Sequence, residues 1–157
     1  MGRLQDRKNV DMLIRSCASL PEAIQPQLVI VGEGETRQSL EMLAAEVYPR
    51  ARFTGALYGI DLDAEYNQAD LFVLPGTGGL AVQQAMAHAL PVIVAEADGT
   101  QQDLVQQGNG WRITPGDEDN LQKVLLQALR NPITLRQMGE ESFRIVQQEV
   151  NIEVMAG

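Results

Sequence analysis

The sequence predicts an α/β fold, a Rossmann-like parallel sheet with helices on both of its faces. Three observations predict it. Short β-rich runs alternate along the chain with helical patterns, which favours βαβ units on a parallel sheet. Residues 71–74 and 91–95 are apolar throughout, as expected of strands that are buried on both faces. The 157 residues, of which 45% are hydrophobic, suit one globular domain.

The first half of the chain contains three helical patterns and two strand patterns. Residues 10–20 repeat apolar side chains about every 3.6 positions and therefore predict an amphipathic helix. Further helices are predicted over residues 36–47 and 62–68. Strands are predicted over residues 27–31 and 52–54.

The second half continues the alternation. The predicted strands cover residues 71–74, 91–95 and 111–114. The predicted helices cover residues 80–87, 100–107, 117–130 and 132 to about 148. Asp117 or a neighbour is expected to cap the 117–130 helix, because an acidic side chain accepts hydrogen bonds from the first turn.

Composition excludes several classes of function. No run of about 18 apolar residues or signal-peptide pattern occurs, so we expect a cytoplasmic protein. A single cysteine, Cys17, excludes a disulfide framework and is expected to be a buried thiol. One histidine, His88, makes a histidine metal site or a catalytic triad hard to assemble. The net charge of −9 argues against nucleic-acid binding but allows a local anion site.

A glycine-rich turn is the most informative stretch. The apolar run 71–74 leads through Pro75 into Gly76, Thr77, Gly78 and Gly79, and then into the helix that Leu80 opens. Ligands bind at the carboxyl ends of parallel strands, and the backbone N–H groups of a helix start suit a phosphate. Glycine at such a turn is also ordinary turn chemistry, so phosphate binding and a plain turn both remain open here.

Two other short patterns have structural explanations that we prefer. Gly32-Glu33-Gly34 begins like a dinucleotide fingerprint but lacks its third glycine, so a tight turn and helix start is expected. Asp61 and Asp63 have the spacing of a metal-binding Asp-x-Asp pair. Their place just ahead of a helical pattern favours a helix cap.

Several motifs, in the right order and spacing, resemble the C-terminal domain of the retaining glycosyltransferases of family 4. Those enzymes have the GT-B architecture of two Rossmann-like domains. The resemblance covers nearly the whole of residues 1–157. The motifs are Gly2-Arg3-Leu4 with Lys8, Val29-Ile30-Val31-Gly32-Glu33-Gly34, Phe53-Thr54-Gly55, Ala69-Asp70 through Pro75, Ala85-Met86-Ala87 with Pro91-Val92-Ile93, Asn109-Gly110, and Pro115-Gly116-Asp117 with Leu121.

The resemblance implies a site for a nucleotide-sugar donor, linked to UDP or GDP. It implies that Arg3 and Lys8 contact the donor diphosphate, where two cations would stabilise the leaving nucleotide without a metal. It places the backbone of residues 76–80 against the donor sugar and phosphate, and Gln84 near the ribose. Neither a catalytic residue nor a cofactor is expected in this half of the enzyme. Glu96 and Asp98 are further candidates for the sugar, although turn chemistry explains them equally well.

The sequence departs from the family pattern at three single positions. Gly76 and Gln84 stand where the family carries a pair of glutamates, and an amide is a weaker partner for a ribose diol than a carboxylate. Ala89 stands where the family has glycine. The position of His88 does not match the family's histidine at the reacting centre, so a surface histidine is expected.

A larger departure concerns what precedes Gly2. In the family a strand runs directly into the Gly-Arg-Leu motif, and in the strand order 3-2-1-4-5-6 that strand is central. Without it the sheet is expected to have a gap with unpaired edges. The acceptor-binding domain, through which any membrane contact would be made, is also not among these residues.

The sequence therefore predicts the donor-binding domain of a glycosyltransferase in glycan or glycolipid synthesis. The full enzyme would transfer a sugar to a glycan or a lipid-linked acceptor. Two other hypotheses remain open. One is an inactive, truncated or degenerate fragment, and the other is a non-catalytic nucleotide-binding module that a separate chain completes.

Overall fold

The computed structural model describes residues 4–5, 8–76, 81–96, 105–106 and 108–156, with side chains up to residue 148. The strands are β1 (Leu28–Val31), β2 (Ala51–Gly55), β3 (Phe72–Leu74), β4 (Val92–Ala95) and β5 (Gly110–Ile113). The helices are α1 (Val10–Ala18), α2 (Arg37–Val47), α3 (Gly59–Gln68), α4 (Ala81–Ala87), α5 (Glu118–Leu129) and α6 (Pro132–Ala156), and a short 3-10 turn covers Glu22–Ile24.

The strands form two separate parallel sheets. One sheet contains β1 and β2, and the other has the order β3-β4-β5. Every pairing between these strands is parallel, and α2 and α4 provide the crossovers from β1 to β2 and from β3 to β4 that the alternation predicts. Among the described residues, β1 and β3 are each an outer strand of their sheet, and no described strand pairs with both.

Helices cover both faces of the larger sheet, which confirms the predicted α/β class. Successive side chains of β4 point to opposite faces. Ile93 and Ala95 join a core with α1, α2 and α5. Val92 and Val94 join a second core with α3, α4 and α6. All four are at most 3% exposed, which explains why this strand lacks polar residues.

Two expectations about helix starts had opposite outcomes. Asp117 caps α5, and its carboxylate accepts a hydrogen bond from the Asn120 N–H at 3.0 Å. The expectation that Asp61 and Asp63 cap a helix is wrong, because α3 begins earlier, at Gly59. With φ at 56°, Gly59 takes a left-handed conformation that suits glycine. Both aspartates therefore lie inside the helix.

The predicted helix over residues 100–107 lies mostly outside the described residues, and residues 105 and 106 are not helical. Cys17 is buried, as expected, at 1% exposure. Burial raises the pKa of its thiol to about 12, so the sulfur is protonated and unreactive at neutral pH.

Candidate functional site

The carboxyl end of β3 is where the glycine-rich turn begins. Leu74, Pro75 and Gly76 are buried there. Glu96 follows β4 at the same edge of the sheet and is exposed, and its N–H donates to the Ile113 carbonyl at 2.9 Å. Six of the predicted donor-site residues lie outside the described residues: Arg3, Thr77, Gly78, Gly79, Leu80 and Asp98.

The chain around Leu4 is held against the turn that follows β1. The Leu4 N–H donates to the Glu33 carbonyl at 2.8 Å, and the Leu4 carbonyl accepts from the Thr36 N–H at 3.2 Å. Gly34 lies directly on this backbone, since a Cβ added there would be 2.3 Å from the Leu4 carbonyl oxygen. The Gly32-Glu33-Gly34 pattern is therefore a docking turn, and Gly34 is required for close approach.

The same segment reaches the end of β3. The Asn9 side-chain amide donates to the Pro75 carbonyl at 3.4 Å, and Asn9 has a left-handed φ of 54°. Lys8, one residue earlier, lines the same cleft as Leu74 and Pro75. The structure thus brings Lys8 and Gly76 to one edge of the molecule, although 68 positions separate them in sequence.

Gln84 lies on the exposed side of α4, and its side chain meets Tyr66 of α3. The single proton of the Tyr66 hydroxyl is shared between two acceptors, the Gln84 side-chain oxygen at 3.4 Å and the Ala81 carbonyl oxygen at 3.5 Å. Burial raises the pKa of Tyr66 to about 12, so this hydroxyl keeps its proton at neutral pH. One acceptor of Gln84 therefore already has a partner in the protein.

His88 connects α3 with the end of α4. Its Nδ1 lies 2.8 Å from the Gln84 carbonyl oxygen, and its Nε2 lies 3.2 Å from a carboxylate oxygen of Asp63. The ring also stacks on Tyr66, with centroids 4.6 Å apart. His88 lies at the surface, as expected, but its side chain is only 22% exposed and joins two helices.

Sequence reasoning missed this group of side chains. Asp63 and Tyr66 are three positions apart on α3, and Gln84 and His88 are four apart at the end of α4. Such spacings place both members of a pair on one helix face. The periodicity could have revealed each pair but not that the two pairs meet.

Among the residues that the structure describes, no three His, Cys, Asp or Glu side chains gather as a metal site would require. None of the helices in that part of the chain combines the length and the apolar character needed to cross a membrane. The described part of the edge carries Lys8, the buried Gly76 and backbone groups, a set that suits an anion.

The family model described as "Glycosyl transferases group 1" matches residues 1–144. The chain belongs to this family. The sequence resemblance to family 4 glycosyltransferases is confirmed, and so is the Rossmann-like half of a GT-B fold.

Curated relatives of this group 1 domain include enzymes named for mannose transfer. A GDP-mannose-dependent monoacylated alpha-(1-6)-phosphatidylinositol monomannoside mannosyltransferase of Corynebacterium glutamicum is 32% identical over 98% of this chain and 43% of its own length. A GDP-mannose-dependent alpha-mannosyltransferase of Mycolicibacterium smegmatis is 44% identical over 67% of this chain and 26% of its own length. The chain thus spans less than half the length of these relatives.

Solved structures agree on the fold of the group 1 domain. Sucrose-phosphate synthase from Thermosynechococcus elongatus superimposes with a TM-score of 0.82 at 26% identity, over 94% of this chain and 40% of that one. The catalytic domain of cholesterol-alpha-glucosyltransferase from Helicobacter pylori has a TM-score of 0.81 at 19% identity, over 95% of both chains. The second likeness shows the fold alone.

Proposed function

We propose that this group 1 domain is the donor-binding part of a glycosyltransferase that moves a sugar from a nucleoside diphosphate sugar to a glycan or a lipid-linked acceptor. One observation carries the proposal: the Leu4–Asn9 segment docks so that Lys8 lies at the carboxyl end of β3, where the glycine-rich turn starts. A cation and a run of backbone N–H groups at one edge suit a diphosphate.

The chemistry at this edge is charge neutralisation. When the bond between sugar and diphosphate breaks, negative charge grows on the departing nucleotide. A lysine ammonium close to that charge stabilises it more in the transition state than in the ground state. Arg3 would supply a second cation. Since the chain carries a net charge of −9, these local cations must offset a repulsive overall field.

The backbone of the turn completes the proposed phosphate site. Gly76, at the end of β3, is buried and lets a ligand approach the main chain closely. We assign Thr77, Gly78, Gly79 and Leu80 to the same contact with donor sugar and phosphate. The N–H groups that open α4 would then point at the ligand.

Gln84 would contact the ribose with reduced strength. Its amide oxygen already meets the Tyr66 hydroxyl, so its NH₂ group is the part we assign to a ribose oxygen. An amide forms a neutral hydrogen bond where a carboxylate would form a charged one, and the difference is about 1 kcal/mol. Nucleotide affinity should therefore depend mainly on the cations and the turn.

GDP is the nucleotide that we propose first, because the relatives quoted above are named for GDP-mannose. UDP is the alternative. We further propose that an acceptor-binding domain outside residues 1–157 forms the other wall of the cleft, and that the domain works in the cytoplasm. The acceptor and the reacting centre would then be shared with that domain.

The test compares two lysine variants of the 157-residue chain. Lys8→Ala should weaken GDP binding about 10-fold or more, since it removes a charge-assisted hydrogen bond. Lys123→Ala removes the same charge from the exposed side of α5 and should leave the affinity unchanged. Isothermal titration of GDP and UDP against each variant gives the numbers. Equal affinities of the two variants would contradict the assignment of Lys8.

A further inference from the structure

Tyr66 is a buried tyrosine on α3 whose hydroxyl reaches α4. Its side chain belongs to a core that α3 and α4 share, and the residue is 3% exposed. Its ring centroid lies 4.6 Å from that of His88 and 6.3 Å from that of Phe72. The His88 ring is nearly parallel to it, with 15° between the two planes. A ring packed in this way has little room to turn, so its hydroxyl stays at a fixed point beside α4.

The stacked histidine is held by groups on both helices. Its Nδ1 lies 2.8 Å from the Gln84 carbonyl oxygen of α4, and its Nε2 lies 3.2 Å from a carboxylate oxygen of Asp63 on α3. The ring therefore ties α3 to α4 at the level where Tyr66 meets Gln84. This tie fixes the distance between the tyrosine hydroxyl and the glutamine side chain.

The proton of the Tyr66 hydroxyl has two acceptors within reach, the Gln84 side-chain oxygen at 3.4 Å and the Ala81 carbonyl oxygen at 3.5 Å. The Ala81 carbonyl lies within α4, where its regular partner is the N–H of the residue four positions later. Among the residues that the structure describes, the Gln84 side-chain oxygen has no donor other than Tyr66. The tyrosine proton is therefore of more use to the glutamine than to the backbone.

This hydrogen bond sets the direction of the Gln84 amide. Gln84 is exposed, and an exposed glutamine side chain loses rotamer freedom when a ligand orders it. Anchoring the amide oxygen in the free protein lowers that cost, because the side chain is ordered before the ligand arrives. The NH₂ group is then the end of the amide that is available to a ligand, and it is a donor only.

We propose that Tyr66 is a positioning residue of the donor site, and that its hydroxyl holds the Gln84 oxygen so that the amide NH₂ donates to a ribose hydroxyl oxygen of the nucleotide. This role rests on the proposed function, because it uses the contact of Gln84 with the ribose that is assigned there. It adds a determinant of specificity. Tyr66 strengthens binding only of nucleotides that carry the ribose hydroxyls, and it has no effect on how the base or the diphosphate binds.

The experiment compares GDP with 2′,3′-dideoxy-GDP, which lacks both ribose hydroxyls, by isothermal titration against the 157-residue chain. Tyr66→Phe removes the hydroxyl and keeps the ring. It should weaken GDP binding about 3- to 5-fold, the value of one neutral hydrogen bond, and leave the affinity for the dideoxy nucleotide unchanged. The corresponding UDP pair is titrated in parallel.

Tyr48→Phe is the matched control. Tyr48 is 2% exposed, and its hydroxyl also donates to a backbone carbonyl, that of Pro26, on the side of α2 away from the donor site. This variant loses a buried hydroxyl of the same kind and should leave the affinities for both nucleotides unchanged. A general loss of stability would therefore appear in both tyrosine variants, and loss of positioning only in Tyr66→Phe.

Two further measurements separate positioning from a merely structural role. In the Gln84→Ala background Tyr66→Phe should have no further effect on GDP affinity, because the hydroxyl acts through the amide. In the ¹⁵N-labelled wild-type chain the Gln84 side-chain NH₂ signal should shift with GDP and stay in place with the dideoxy nucleotide. This second measurement needs no variant of the protein.

The proposal is overturned by equal weakening of both nucleotides in Tyr66→Phe, by equal loss in the two backgrounds, or by unchanged GDP affinity. An NH₂ signal that ignores GDP also overturns it. Failure of the proposed function has a different signature. In that case the wild-type chain binds neither nucleotide, or Lys8→Ala has no effect, whereas failure of the Tyr66 role alone leaves the dependence on Lys8 intact.

Discussion

Ala89 has a left-handed φ of 59° at the turn between α4 and β4. A side chain in this conformation crowds the following carbonyl, which costs about 1 kcal/mol. The turn is held in place by α6, since a Cβ on Gly139 would come within 2.2 Å of the Ala89 carbonyl oxygen. The family carries glycine where Ala89 stands, and the structure shows why glycine suits the position.

Ala89→Gly should therefore stabilise the protein by up to about 0.5 kcal/mol, because the relief of about 1 kcal/mol of strain is partly offset by the added freedom of the unfolded chain. Urea unfolding followed by circular dichroism measures the change. Ala87→Gly, at the exposed end of α4, is the matched control and should destabilise the helix. Equal destabilisation by both substitutions would show that Ala89 is not strained.

At the scale of elements, the segment from Leu4 to Asn9 links the turn after β1 to the end of β3. The link depends on Gly34, because any larger residue would collide with the Leu4 backbone. Gly34 has no proposed contact with the ligand. Because it has no side chain, the Leu4 backbone can pack against it, and this contact positions Lys8. A substitution there tests whether docking of the segment and nucleotide binding are coupled.

Gly34→Ala should cost about 1–3 kcal/mol of stability and weaken GDP binding as much as Lys8→Ala does, because the Leu4 segment must move. Gly108→Ala is the control, since a Cβ at that position would make an ordinary 3.5 Å contact with the Glu141 side chain. Chemical unfolding and GDP titration of both variants measure the two effects. If Gly34→Ala keeps wild-type GDP affinity, docking of the segment does not position Lys8.

Elements with strong patterns could be predicted, and those that depend on contacts could not. β4 was predicted from its unbroken apolar run, and the cap of α5 from the acidic residue ahead of an apolar period. The early start of α3 was missed, because it depends on the left-handed Gly59 rather than on periodicity. The meeting of His88 with Asp63 is a tertiary contact that no local pattern encodes.

At the scale of the whole molecule, helices hold the two described sheets together. α1 packs against both α2 and α5, so it connects the β1-β2 sheet to the β3-β4-β5 sheet. The division of the described strands into two sheets could be predicted from the family strand order. The contacts of α1 with both helices required coordinates.

The proposed site also belongs to this scale, because the edge that holds it is assembled from the carboxyl ends of strands in both sheets. Lys8 and Gly76 could be named from motif spacing, since the resemblance placed both near the donor. Their convergence rests on two contacts, Leu4 with Glu33 and Asn9 with Pro75, which sequence alone does not give.

The most direct test of the central claim is a titration of the ¹⁵N-labelled 157-residue chain with GDP, followed by amide chemical shifts. We expect saturable shifts at Lys8, Gly76 and Glu96, at the carboxyl edge of the sheets. The amides of Gln27 and Asp70, at the opposite edge, should not move. Shifts confined to that opposite edge, or none at millimolar GDP and UDP, would contradict a donor-binding site.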